Sequence, residues 1–188
     1  MARLPYVIPE KAPAEVQETF KRLPAMLNVF KMMAHAETNF RPLIRLGTAV
    51  LAEQKLSPKL RELAILRVAK LSKAEYEWVQ HVALALLVGV THPQVDALAR
   101  GEIDAPCFDA AEQLVLQFAT EIIRDVRASD QTFARVRERF TAQEIVELVL
   151  AVGYYMMIAR LLETTGVDIE PPSEGMANQA RMWQGRKA

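Results

Sequence analysis

The chain has 188 residues, 51% of them hydrophobic, with 23 basic and 23 acidic side chains that cancel to a formal net charge of zero. That is ample apolar material for one domain, and it offers no general electrostatic attraction to nucleic acid or to an anionic membrane, so a small molecule or another protein is the expected partner. One cysteine, Cys107, excludes an internal disulfide and any cycle through two thiols of one subunit.

The opening stretch MARLPYVIPEKAPAEV is broken by three prolines and several charges and lacks the unbroken apolar core of an export signal. The longest uncharged runs, 82–90 and 148–159, fall short of the roughly 20 residues that span a bilayer. A soluble, cytoplasmic protein is the expectation. Residues 1–13 read as an N-terminal arm, 14–170 as a single helical domain and 171–188 as a tail.

Apolar spacing predicts helices over 14–23, 24–35, 40–53, 58–71, 73–88, 93–100, 110–127, 130–140 and 142–164, and no convincing strand. The fourth starts where Ser57 precedes Pro58, a cap followed by proline in the first helical position. Ser72 with Glu75, Thr91 with Gln94, Asp109 with Glu112 and Thr141 with Glu144 have the spacing of reciprocal caps and predict four more starts. Gly89, Gly101 and Gly166 fall just beyond apolar-periodic segments, where a left-handed closing residue is needed. The tail, PPSEGMANQARMWQGRKA, reads as loose or as laid on a neighbouring subunit through Met182 and Trp183. Segments 73–88 and 145–162 are apolar on nearly every face, which predicts burial all round. A chain of this size has difficulty enclosing both, so subunit contacts are expected to cover part of them in a homo-oligomer.

Polar residues interrupt two of these stripes. Glu62 shares its face with Ile65, Leu66 and Ala69, while Arg61 and Arg67 are free to point elsewhere. On the next helix Glu77 and His81 are four apart, on a face continued by Leu84, Ala85 and Val88. Three ionisable groups thus converge at one apolar junction. Burial and pairing there can yield groups that exchange protons near neutrality, the requirement of general acid–base catalysis. A buried Glu62–His81 bond that only anchors two helices uses the same residues and remains the alternative.

The order Leu56-Ser57-Pro58 with Leu60-Arg61-Glu62, then Tyr76-Glu77-Trp78 with His81, then Gly89 and finally Gly153-Tyr154-Tyr155, resembles the carboxymuconolactone decarboxylase and AhpD-like alkylhydroperoxidase superfamily. The resemblance covers about 14–170 and is most specific over 56–89. It implies an all-α, AhpD-like helical bundle of about eight or nine helices, assembled into homotrimers or homohexamers. In the peroxidase branch a glutamate is followed twelve residues later by a Cys-x-x-Cys and then by a histidine. Counting from Glu62 reaches Ala74, Glu77 and His81, so the glutamate and histidine match while neither thiol is present. Without a nucleophilic thiolate and a resolving thiol, peroxidase activity ranks last. Cys107 lies outside the motif and reads as a small hydrophobe before a helix.

The decarboxylase branch, which needs no cysteine, implies a cofactor-free lyase for a small organic acid or lactone. Loss of CO2 would leave a dienolate to be protonated on carbon. There His81 would be proton donor or relay, Glu62 its orienting partner, and Glu77 a second acid or hydrogen-bond acceptor. Substrate carboxylates would call for anchors, for which Arg61, Arg67, Arg160, Tyr76, Tyr154 and Tyr155 are the candidates, the tyrosines reading more readily as packing with the hydroxyl at an edge. The extension LPAMLNVFKMMAHAETNF could cap a pocket with Met26, Phe30, Met32 and Met33 or simply pack. No metal or cofactor is expected, since the second histidine and the glycine-rich loops such groups use are missing. A non-catalytic binding or assembly protein of the same fold is the rival from another class.

Overall fold

The computed structural model describes residues 1–23 and 25–171. The tail beyond Pro171, with Met182 and Trp183, and the helix start expected at Pro24 lie outside the described residues. Among the described residues there is no strand, and a single 3-10 turn at Pro9–Lys11 precedes nine α-helices. They are α1 (Ala14–Lys21), α2 (Asn28–Met33), α3 (Glu37–Ala52), α4 (Pro58–Ser72), α5 (Glu75–Leu87), α6 (His92–Arg100), α7 (Ala110–Asp125), α8 (Asp130–Arg139) and α9 (Ala142–Thr165).

The expected stops at Gly101 and Gly166 are left-handed closing residues, and Gly89 is left-handed one position past the α5 cap. The reciprocal caps also form at Asp109 and Thr141, where each side chain accepts from the third helical N–H and Glu112 or Glu144 returns the bond. Two starts differ from the sequence reading. Ser57 stands at the head of α4 without a side-chain bond, so proline geometry alone sets that start. Ser72 is the last residue of α4 rather than a cap for α5, because Lys73 turns left-handed at φ 55° and Ala74 opens the next helix. The cap of α5 therefore falls at Ala74, two residues later than the spacing of Ser72 and Glu75 suggests.

The central helix is α4, packed between α9, α5 and α7. Every residue from Arg61 to Ala69 is buried, including Arg61, Glu62 and Arg67. Charge is tolerated there because each charged group is bonded. Arg67 Nε donates to Thr120 Oγ1 at 2.9 Å and Arg61 Nε faces Glu62 Oε1 at 3.4 Å. By contrast, α9 is buried on one side only, leaving Val146, Val149, Leu150 and Met157 more than two-fifths exposed along one stripe. By length and hydropathy α9 could cross a membrane, but half of its most apolar window is packed inside the bundle.

The arm before α1 is tied to the chain segment after α9. Arg3 N–H donates to Thr165 O, and both Ala2 N–H and Tyr6 Oη donate to Asp168 Oδ2. Asn28 Nδ2, at the start of α2, reaches Asp168 O at 3.1 Å. These bonds close the bundle on the side where α2, α3, α5 and α9 meet around a cavity.

Candidate functional site

On α5 the inward face carries Tyr76, Glu77, Gln80 and His81 in succession, a polar run inside a helix that is otherwise apolar. All four line a partly open cavity of about 80 Å³. The remaining wall is mainly aliphatic and aromatic, with Leu27, Phe30 and Met33 from the N-terminal segment and Ile158 and Leu162 from α9. Phe30 and Met33 thus sit where a pocket cap was expected. Met32 is buried elsewhere in the core, and Met26 is partly exposed.

Glu62 stands behind this wall on α4, 1% exposed, and His81 Nδ1 lies 2.8 Å from its Oε2. A carboxylate can only accept, so the proton of this bond sits on Nδ1, and Nε2 is the basic nitrogen of the neutral ring. Tyr155 packs edge-on against the imidazole, with ring centroids 4.6 Å apart at 81°, and fixes its plane. The imidazole is therefore held by a carboxylate on one side and a phenol ring on the other.

Glu77 has the opposite environment. It is 2% exposed, and neither carboxyl oxygen has a hydrogen-bond partner among the described residues. Desolvation is the main cause that pushes its carboxyl well above the usual range, and the negative Glu163 and Glu62 add to it. Its place in the first turn of α5 favours the ionised form, but that effect is about 1 kcal/mol and is outweighed by burial. The junction thus combines an acid that keeps its proton with a histidine oriented by an ionisable partner, the division of roles that acid–base catalysis uses.

The phenols respond to the same burial. Tyr155 is raised well above its ordinary value by desolvation first and by Glu62 next, and Tyr154 is pushed up to about 12 by desolvation and Glu77. Both remain hydrogen-bond donors at any physiological pH. Tyr154 Oη donates to Leu43 O at 3.1 Å and so ties α9 to α3.

That contact depends on Gly47, which lines the cavity with no side chain. A Cβ there would sit 2.5 Å from Tyr154 Oη. In an open helix Gly→Ala stabilises by about 1 kcal/mol, but here it should destabilise by about 1–3 kcal/mol by driving Tyr154 off its bond. Urea midpoints of Gly47→Ala, and of Gly47→Ala combined with Tyr154→Phe, test this. The second change should recover part of the loss, and an unchanged midpoint in the single variant would mean that the ring swings aside without cost.

Several expected site residues lie elsewhere. Arg61 is buried behind Glu62 and does not line the cavity. Arg67 turns toward α6 and α7, bonding Thr120 and Gly101 O. Arg160 is exposed on α9, its guanidinium donating to Met156 O. Cys107 sits near Pro93 O, away from the cavity. No group of three His, Cys, Asp or Glu side chains among the described residues could hold a metal ion.

Two residues belong to the site although nothing in their local sequence marks them, Gln80 and Glu170. Glu170 is buried at the end of the described chain and accepts from Tyr76 Oη and Gln80 Nε2, each at 2.8 Å, and also from the Asn28 N–H. Tyr76 and Gln80 are thereby held from behind by one carboxylate. The Tyr76 hydroxyl is pushed up by burial first and by that carboxylate second.

The pattern of the Carboxymuconolactone decarboxylase family matches residues 38–121, the stretch that contains Glu62, Glu77 and His81. No curated protein matches the chain in sequence. In structure, the chain is similar to an uncharacterized peroxidase-related protein from Ralstonia eutropha described as an alkylhydroperoxidase AhpD core. The two share 18% identity over 95% of this chain and 96% of the other, with TM-score 0.79. A peroxidase-related protein from Silicibacter sp. is similar at 20% identity over 92% and 93%, with TM-score 0.78. The debrominase Bmp8, solved with 2,3,4-tribromopyrrole, matches at 14% identity over the whole of both chains, with TM-score 0.74. The fold is that of AhpD-like helical proteins.

Proposed function

We propose that this chain, which carries the carboxymuconolactone decarboxylase family segment at residues 38–121, is a cofactor-free lyase acting by general acid–base chemistry on a small organic acid or lactone. What supports the reading is one juxtaposition: the Glu62–His81 bond of 2.8 Å beside the unpartnered Glu77 carboxyl, with His81 and Glu77 both on the cavity wall. Placement of a substrate carbon near His81 would allow proton transfer at that carbon. If CO2 is lost, the bonding pair of the broken C–C bond enters the conjugated system as a dienolate, and one proton quenches it on carbon, given by Glu77 or by His81 Nε2 after that nitrogen has taken a proton from solvent. Solvent restores that proton through the partly open cavity. Glu77, holding its proton, would donate a hydrogen bond to the oxygen on which charge develops.

The activities named for the structural neighbours differ from this and belong to proteins at most 20% identical. A dithiol peroxidase cycle does not suit Ala74 and Glu77, which occupy the two thiol positions. The neighbour that binds a brominated pyrrole supports the idea that this fold accepts a single small ring. The assay is a screen of unsaturated lactones and lactone acids for ring absorbance loss and CO2 release, with His81→Gln as control. A binding or assembly protein would give no turnover with any of them.

We also infer a homo-oligomer, a trimer or hexamer, that covers the α9 stripe of Val146, Val149, Leu150 and Met157. Four large apolar side chains in one exposed row are unusual on a monomer. Light scattering at micromolar concentration should give a mass above 21.1 kDa, and Leu150→Asp should lower it; a monomeric wild type would defeat this.

A further inference from the structure

Among the described residues the cavity wall bears hydrogen-bonding groups but no lysine or arginine. Its ionisable members are Tyr76, Glu77, His81, Tyr154 and Tyr155. The guanidinium at this junction, that of Arg61, is engaged with Glu62 from behind the wall. The charged groups acting on Glu77 from its neighbours, Glu62 on α4 and Glu163 on α9, are both negative. An anionic ligand would therefore enter a desolvated site with no lysine or arginine among the described residues to pair with it, a cost of several kcal/mol.

Glu77 meanwhile has two buried oxygens with no partner among the described residues. A protonated carboxyl in that state is a donor awaiting an acceptor, and leaving it unmatched is itself unfavourable. The cavity of about 80 Å³ encloses less than the roughly 150 Å³ apolar cavity that admits benzene, but it is partly open, so a single small ring is held with its substituent toward the open side.

We propose that this cavity selects a small uncharged ring bearing a carbonyl acceptor, a neutral lactone or related carbonyl compound, and rejects the matching carboxylate. Glu77 donates to the carbonyl, and the aliphatic wall covers the ring. The proposal rests on the acid–base reading of the same site for the chemistry after binding; it narrows that reading from acids and lactones to the neutral member, for which the step is proton transfer at the carbon beside the carbonyl rather than loss of CO2.

The test compares 2-acetylfuran with 2-furoate, which share a ring and an acyl carbonyl but differ by a methyl group against a charged oxygen. Dissociation constants of both are measured on the full chain near pH 7 by ligand-observed NMR. The neutral probe should bind at least about tenfold more tightly. Glu77→Gln, which keeps a donor, should hold its affinity within about threefold, whereas Glu77→Leu should lose about tenfold or more without affecting 2-furoate. Equal or tighter binding of 2-furoate, binding of neither probe, or unchanged 2-acetylfuran affinity in Glu77→Leu would each overturn the proposal. Turnover is not part of this readout. Selective binding of the neutral probe with no lactone turned over would keep the ligand class and remove the lyase; carboxylate-selective binding with turnover lost in His81→Gln would do the reverse.

Discussion

Replacing His81 with glutamine should lower turnover of a lactone substrate by about 10²–10⁴-fold, the range that a positioned acid–base group contributes. Glutamine can keep a hydrogen bond to Glu62 but cannot carry a proton between states. Glu62→Gln should cost a comparable factor for a different reason. Its carboxylate accepts from Nδ1–H at 2.8 Å and so sets which nitrogen is basic; an amide nitrogen in that place would donate to Nδ1 and move the proton to Nε2. The double variant should then be little worse than either single one, because both changes disable one unit. Circular dichroism and the oligomeric mass should be unchanged, since both replacements keep a hydrogen-bonding group in a buried position. Full residual activity in either single variant would remove the pair from the mechanism and leave it as a helix anchor.

Most of the fold was legible because its boundaries are local. A proline in the first helical turn, reciprocal caps at Asp109 and Thr141 and a glycine after a periodic segment are each decided within a few residues. At Ser72 and Lys73 a competing local choice won: Lys73 adopts a left-handed turn that glycine usually supplies, and α4 ends on the residue that looked like a cap. The identity of the central helix was harder. Apolar content points to α5 and α9, yet α4, with Arg61, Glu62 and Arg67, is the helix enclosed on all sides, because tertiary bonds satisfy its charges.

The site shows the same division. Glu62, Glu77 and His81 could be found from helical spacing, since all three interrupt apolar faces of consecutive helices. That Glu77 is unpaired while Glu62 is paired could not, for it depends on which side chains from α9 and α4 approach. Gln80 reads as one more polar residue on α5. Glu170 lies 90 residues from Gln80 and 94 from Tyr76 in sequence, outside any helix, and only the closing segment after α9 brings it to them. The candidate arginines point away from the cavity for the complementary reason: Arg67 has partners at Thr120 and Gly101 O, and Arg160 one at Met156 O.

Glu77→Gln should stabilise the protein increasingly as pH rises. The carboxyl of Glu77 has its folded-state pKa raised well above the unfolded value of 4.5, chiefly by burial. Below 4.5 the group is protonated in both states and carries no penalty. Above 4.5 the unfolded chain releases the proton while the folded one retains it, so this group's contribution falls with pH by about 1.4 kcal/mol per unit, until the folded pKa is reached. An amide does not titrate. Its own fit in the pocket adds a constant offset of either sign, which leaves the change of the gap with pH as the informative quantity. Denaturant unfolding of the two proteins at fixed protomer concentration should show the variant gaining on wild type by up to about 2.7 kcal/mol between about pH 5 and pH 7. All other titrating groups cancel in that difference. A gap that stays constant over this range would mean that Glu77 is ionised in the folded state, and with it the donor on which both the proton-transfer and the neutral-ligand readings depend would be gone.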